Sequence, residues 1–210
     1  MKNINNEVPM VVVRRLPRYY RYLSELMSNN ISRISSAELS RRMGVTASQI
    51  RQDFNCFGDF GQQGYGYNVK HLREKIGEIL GLDNSYSLII VGAGNLGHAL
   101  ANYAGIEKRG YRIIGIFDND PQKIGNEIKG ISVSDIKNLE SFCQENPVDI
   151  AALSIPKAEV QEITKRLISA GVKGLWNFSY AELETPDDII VENVHLSDSL
   201  MTLSYKITNK

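Results

Sequence analysis

Apolar positions in the first third of the chain recur at helical spacing, and beyond residue 83 they gather into short runs separated by helical stretches. Leu16, Tyr20, Leu23 and Met27 form one stripe, opened by Pro17 and fading at Asn29-Asn30, which predicts a helix; residues 1–13 predict a flexible lead-in. Ser35 with Glu38, and Thr46 with Gln49, have capping-box spacing ahead of 37–43 and 47–54, and only Gly44-Val45 lies between. Two short helices across a glycine-containing turn make a helix-turn-helix, whose second helix is placed for a major groove. The glycine-punctuated aromatic stretch 57–67 predicts a β-hairpin with Gln62-Gln63 at its tip, and three helices plus a hairpin form a winged helix. Asn68 then caps a linking helix with Val69, Leu72, Ile76 and Ile79 on one face, stopped by Gly81.

From residue 88 the period changes. Strands are predicted at 88–91, 113–117, 131–133, 149–155, 172–178 and 189–194, with one helix from a Ser134 cap through Cys143 and another over 156–170 closed by Gly171. Such alternation means an open parallel sheet covered on both faces. A last amphipathic helix, 196–207, aligns Leu196, Leu200, Leu203 and Ile207; this face either folds back on its own domain or docks on a partner chain. The expected fold class is α/β, with an N-terminal winged helix and its linker helix (1–82), a Rossmann-like parallel-sheet domain (83–194) and a C-terminal dimerisation helix (195–210).

Charge sharpens this division. The 210 residues carry no formal net charge, yet 1–82 hold 12 Lys and Arg against 7 Asp and Glu, and the remainder holds 12 against 17. A basic module is joined to an acidic one. Every basic residue from Arg14 to Arg51 is an arginine, opposed in that span only by Glu25 and Glu38, and planar guanidinium suits phosphates and base edges. Cys56 and Cys143 stand far apart, which argues against a zinc site or a disulfide framework. The N-terminus lacks a signal-peptide pattern and no run approaches the ~18 apolar residues of a membrane span, so a cytoplasmic protein with neither membrane nor metal partner is expected.

On a helical wheel Ala47, Ile50 and Phe54 share the inner face of the second helix, leaving Ser48, Gln49, Gln52 and Asn55 outward with Arg51 on the flank. Gln and Asn can pair with adenine, Arg with guanine or phosphate. An ordinary solvated face has a similar composition, and the surrounding arginines tip the reading toward double-stranded DNA. The expected DNA contacts are Arg14, Arg15, Arg18, Ser48, Gln49, Arg51 and Gln52, with Gln62 and Tyr65 from the hairpin.

The strand at 88–91 runs straight into Gly92-Ala93-Gly94-Asn95-Leu96-Gly97, a G-x-G-x-x-G between strand and helix. Gly92 permits the tight turn, Gly94 lets backbone approach a pyrophosphate, and Gly97 lets the next helix pack with its N-terminus toward the anion. Asp118, 21 residues beyond Gly97, is placed to accept ribose hydroxyls and to repel a 2′-phosphate, which favours NAD(H) over NADP(H). Close helix packing alone also uses such glycines, and Asp118 also suits a cap for the 119–121 turn. A coenzyme A site on the same fold is a third reading, which Asp118 opposes. Pro156 and Asn177 fall on the edge where open sheets bind ligands. His71, His98 and His195 have no orienting carboxylate beside them in sequence, and no Tyr-x-x-x-Lys, P-loop, G-x-S-x-G or metal-ligand cluster occurs. No catalytic residue is therefore assigned, against the rival reading of a small dehydrogenase with an incidental basic arm.

Taken together, Arg15-Leu16-Pro17-Arg18-Tyr19-Tyr20, Ser35-Ser36-Ala37-Glu38-Leu39, Gln49-Ile50-Arg51-Gln52-Asp53-Phe54, Gly64-Tyr65-Gly66-Tyr67-Asn68-Val69, the 92–97 loop and Trp176-Asn177-Phe178 resemble the bacterial Rex redox-sensing repressors, over about residues 14–207. The resemblance implies a homodimer that represses fermentation and respiration genes when NADH is scarce and leaves its operator when NADH binds, with NADH and NAD+ as ligands and a domain-swapped final helix. By position it implies that Gly92, Gly94 and Gly97 hold the pyrophosphate, Asp118 the adenine ribose, and that Tyr103 sits beside the nicotinamide near the subunit contact. The sequence departs from the family pattern at Gln62-Gln63, where wing tips are often basic. It departs again at His195, where several members carry an acid able to pair with an N-terminal arginine such as Arg15.

Overall fold

The computed structural model describes residues 8–58, 61–62 and 65–209, and the chain parts into two units between Asn84 and Ser85. The first unit contains α1 (Met10–Val13), α2 (Leu16–Ser28), β1 (Arg33–Ile34), α3 (Ser36–Met43), α4 (Ala47–Asn55), β2 (Gly61–Gln62), β3 (Gly66–Asn68) and α5 (Val69–Ile79). Ser35 and Thr46 cap α3 and α4 by accepting the N–H of Glu38 and of Gln49, and Asn68 caps α5 by accepting that of His71. Leu16, Tyr19, Leu23, Leu39, Ile50 and Phe54 fill the core between these helices. Phe54 meets the Tyr19 and Tyr67 rings edge-on at centroid distances of 5.1 and 5.0 Å.

Three details differ from the sequence reading. The lead-in is partly helical, because Val12 finds a place in the core and holds α1 down. The sheet has three strands in the order β1-β3-β2; β1 is only two residues long and carries no period of its own. Gln62 pairs with Gly66 as a strand residue rather than forming the hairpin tip, and Asp59, Phe60, Gln63 and Gly64 lie outside the described residues.

The second unit contains β4 (Tyr86–Val91), α6 (Asn95–Asn102), α7 (Ala104–Glu107), β5 (Tyr111–Asp118), β6 (Glu127–Ile128), β7 (Ile131–Asp135), α8 (Leu139–Glu145), β8 (Ile150–Leu153), α9 (Lys157–Ser169), β9 (Gly174–Asn177), β10 (Ile190–Asn193) and α10 (Leu196–Thr208). Its seven-stranded sheet runs β10-β9-β8-β4-β5-β7-β6. All pairs are parallel except β6 with β7. Counting only the parallel strands in chain order gives 3-2-1-4-5-6, the dinucleotide-binding order with its topological switch between β4 and β8. Two apolar layers cover the sheet, one around Ile89, Val91, Phe117 and Leu153, the other around Leu88, Ile90, Ile113 and Ile116.

Ser134 is not a helix cap. It pairs with Phe117 in the β5–β7 ladder, and the strand continues to Asp135, whose carboxylate accepts the Lys137 N–H over a 3₁₀ turn that delays α8 to Leu139. The β6–β7 hairpin also went unforeseen. Its turn residues Lys129 and Gly130 both adopt positive φ, +52° and +79°, as a type I′ turn needs, and Lys-Gly is a weak signal for one. The final helix is present, and Leu196, Leu200, Leu203 and Ile207 are all more than half exposed.

Candidate functional site

After Val91 the chain turns through Gly92 at φ +102°, where a Cβ would lie 2.5 Å from the Ser154 carbonyl oxygen. A Cβ on Gly97 would lie 1.8 Å from the Gly92 oxygen, so the first turn of α6 presses on the loop's own backbone. Nothing stands within 4 Å of a Cβ built on Gly94, and no side chain caps α6. The middle of the loop thus faces open space, beside a helix N-terminus suited to an anion.

That space is a groove of about 570 Å³ at the carboxyl ends of β4, β5 and β8, lined by Gly92, Gly94, Asp118, Lys123, Ile155 and Pro156 among others. Its position coincides with the switch between β4 and β8. Ser154 Oγ ties the floor together, its single proton shared between the carbonyl oxygens of Gly92 at 2.9 Å and Val91 at 3.1 Å.

Asp118 ends β5 and is 6% exposed. Its Oδ2 accepts the Ala93 N–H at 2.7 Å and the Lys123 ammonium at 3.1 Å, and its Oδ1 accepts the Asp120 N–H at 2.9 Å. Burial pushes this carboxyl up, but the backbone donors of Asp120 and Ala93, with Lys123, outweigh it and hold the group below its ordinary value. A carboxylate oxygen has two lone-pair sites, so Oδ1 keeps one acceptor position for a hydroxyl donor. Asp118 therefore caps its turn and faces the groove at once. Lys123 is the cation that the simple repulsion argument against a 2′-phosphate left out; its charge offsets part of that of Asp118.

The other expected nucleotide residues are spread more widely. Ala93 serves through its amide to Asp118, Asn95 is exposed and Leu96 half-buried on the first turn of α6, and Tyr103 is exposed where α6 gives way to α7. Asn177 is enclosed within its own turn. It is fully buried and its amide is spent, donating to Ala181 O and Asn193 Oδ1 while accepting from the Ser179 N–H and hydroxyl. It shapes the 177–181 turn and ties β9 to β10.

In the first unit Ser48, Arg51 and Gln52 are exposed on α4, with Arg14 and Arg18 exposed near the start of α2. Arg51 donates to Ser36 Oγ at 3.1 Å. Tyr65 is 69% exposed, with the Arg33 guanidinium 5.9 Å from its ring centroid. Arg15 behaves differently from its neighbours. Its Nε and Nη2 each donate to Asp53 at 2.7 Å, and Tyr19 Oη donates to the same carboxylate at 2.9 Å. Gln49, expected on the outward face, is half-buried and donates to Asp53 Oδ1 at 2.9 Å. Asp53 itself was missed; an acid between Ile50 and Phe54 on an apolar face was the available signal, because such a charge needs a partner.

Two family models match the chain, "CoA binding domain" over residues 83–181 and "Putative DNA-binding protein N-terminus" over 7–55. A protein of Caldicellulosiruptor saccharolyticus named redox-sensing transcriptional repressor Rex is 55% identical over 203 residues, 97% of this chain and 93% of its own. A protein of the same name from Clostridium perfringens is 52% identical over 96% and 95%. The chain belongs to the Rex family. Among solved Rex-family structures, RSP in complex with β-NADH superposes at a TM-score of 0.90 with 52% identity, covering 97% of this chain and 95% of its own. RSP in complex with β-NAD+ and operator DNA also gives 0.90, at 55% identity over 96% and 93%. Rex relatives bear the name of repressors, and the sheet of this chain has the dinucleotide-binding order. Among the described residues no helix is long and apolar enough to cross a membrane, and no group of three His, Cys, Asp or Glu could hold a metal ion.

Proposed function

We propose that this chain is a redox-sensing transcriptional repressor that binds operator DNA as a homodimer in the cytoplasm and is released when NADH occupies the groove beside Asp118. The observation that carries this reading is the likeness to RSP, solved both with β-NADH and with β-NAD+ and operator DNA. In it, residues 1–82 are the DNA-binding module, 83–194 the nucleotide module and 195–210 the dimerisation helix.

The groove fits a dinucleotide: Gly94 leaves room for close backbone approach, the uncapped start of α6 suits a pyrophosphate, and Asp118 keeps an acceptor position for a ribose hydroxyl. Gly92, Gly94 and Gly97 with the amides of Asn95 and Leu96 would hold the pyrophosphate, Pro156 would wall the groove, and Tyr103 would stand at the subunit contact. The nicotinamide ring is cationic in NAD+ and neutral in NADH, so an apolar contact admits the reduced form more readily. Two recognition helices reading half-sites a helical turn apart, about 34–36 Å, would lose register if the subunits turned. A near-complete switch asks for about 10⁴-fold tighter NADH binding in the released state.

The test is a gel-shift titration of an operator duplex, selected by the protein from a randomised pool, with NADH and NAD+ in parallel. Release by NADH and not by NAD+ is expected; release indifferent to oxidation state overturns the reading. Calorimetry with coenzyme A in the same series addresses the family model described as a CoA binding domain.

A further inference from the structure

Asp53 is 1% exposed and its carboxylate takes four hydrogen bonds, two from Arg15, one from Tyr19 and one from Gln49 Nε2. Burial pushes the carboxyl up, and the bonds from Arg15, Gln49 and Tyr19 outweigh it, so the group stays ionised and accepts only. Gln49 stands one turn before it on α4, near the start of the helix, its own N–H held by Thr46. The side-chain amide has two ways round, and a pure acceptor beside it permits one: nitrogen toward Asp53. One N–H is then spent inward. When the inward N–H is the one trans to Oε1, the cis N–H and Oε1 form the remaining edge of the amide, a donor beside an acceptor.

Resting on the DNA-binding reading above, we infer that Asp53 is a positioning residue that locks Gln49 as a reader of adenine. Adenine offers N6–H and N7 in the major groove, one donor and one acceptor, which the locked edge matches bidentately. Guanine offers two acceptors, N7 and O6, and an amide that cannot turn both N–H groups outward meets O6 with its own oxygen. The lock thus converts a residue able to pair with either purine into one that discriminates between them. Arg15, at the N-cap of α2, and Tyr19, within it, hold the carboxylate, so the base preference of α4 depends on a neighbouring helix.

The experiment measures full-length protein with NAD+ on a duplex selected from a randomised pool, changed one base pair at a time. One half-site position is expected where guanine in place of adenine weakens binding about 10-fold or more, the order of discrimination a bidentate pair supplies. Gln49→Ala should flatten that position and leave the others, and Asp53→Asn, which can donate toward Gln49 and turn its amide over, should flatten or invert it. Two adenine analogues, 7-deazaadenine lacking N7 and purine lacking the N6 amino group, should each weaken wild-type binding at that position and neither should affect Gln49→Ala; these arms decide the matter if Asp53→Asn fails to fold. A Gln49→Ala profile parallel to wild type, a folded Asp53→Asn with unchanged preference, or indifference to either analogue would overturn the lock. Those outcomes leave NADH-responsive operator binding standing, whereas wild-type protein that selects no sequence at all removes both readings.

Discussion

Asp118 Oδ2 accepts the backbone N–H of Ala93 at 2.7 Å, which ties the end of β5 to the middle of the glycine loop after β4. The loop and its acid are therefore one unit rather than two independent ligand contacts. Replacing Asp118 with Ala removes a candidate ribose partner and leaves a partly buried amide without its acceptor, at a cost of about 1–3 kcal/mol. NADH affinity is expected to fall about 10-fold or more while operator binding without NADH is retained. A gel-shift titration reads both, and NADH release equal to wild type would remove the ribose role.

Lys123 lies 3.1 Å from Asp118 Oδ2 and 3.7 Å from Asp120 Oδ2. With its charge present, the groove repels a 2′-phosphate less than a lone acid would. Lys123→Ala should therefore widen the preference for NADH over NADPH several-fold, chiefly by weakening NADPH. Paired calorimetric titrations check this, and an unchanged ratio would mean that Lys123 serves only to hold the 118–123 turn.

Two alanine substitutions in the loop should behave oppositely. At Gly97 a methyl carbon would lie 1.8 Å from backbone, so the loop or α6 must move and both thermal stability and nucleotide binding should suffer. At Gly94 nothing stands within 4 Å, so the folded state should tolerate the methyl group, which instead occupies the approach of a ligand. The expected result is a near wild-type melting temperature for Gly94→Ala with NADH binding reduced about 10-fold, and a clear loss of melting temperature for Gly97→Ala. Melting with and without NADH distinguishes the two.

The strands and glycine loop of the second unit were legible because β-branched runs, G-x-G-x-x-G and the acid in register are local patterns. The capped helices of the first unit were legible for the same reason. What stayed hidden depended on side-chain pairings that no periodicity or motif marks, whether the partners are near or remote in sequence. Arg15 and Asp53 are 38 positions apart, and only the approach of α4 to the start of α2 turns that arginine toward a buried acid. Asn177 looked like a ligand residue because it ends a strand on the binding edge, yet its amide is spent on Ala181, Ser179 and Asn193. Lys123 announced nothing, since a lysine in a polar turn is ordinary until a strand end is placed 3.1 Å from it.

The Asp53 network also sets an acid limit. A carboxyl whose folded value lies below its ordinary 3.8 contributes stability that is fully present above 3.8 and is lost as pH falls through the lower folded value. Asp118 shifts in the same direction and adds to the effect in the second unit. Urea midpoints should thus be nearly constant from about pH 7 to 5 and drop below about pH 4, more steeply in wild type than in Asp53→Asn. At neutral pH, Arg15→Ala should cost about 3 kcal/mol, because it leaves a buried carboxylate without its cation. A flat wild-type profile down to pH 3, or a neutral Arg15→Ala, would show that Asp53 is solvated in the native protein.

The exposed stripe on α10 makes the strongest demand for a partner. Leu196, Leu200, Leu203 and Ile207 are 51–68% exposed on one helix, and burying each such side chain fully is worth about 1.5–3 kcal/mol. In the proposed homodimer, covering this stripe on both copies would recover part of that stabilisation, offset by the cost of association, and the paired heads would bind two half-sites at once. Leu200→Glu with Leu203→Glu places charges where apolar contact is needed, so the variant should sediment as a monomer with each unit still folded. Operator affinity should then fall by about 10²–10⁴, the avidity that linked sites supply. A variant that remains dimeric in analytical ultracentrifugation would move the subunit contact away from α10, and a monomer that keeps wild-type operator affinity would detach DNA binding from dimerisation.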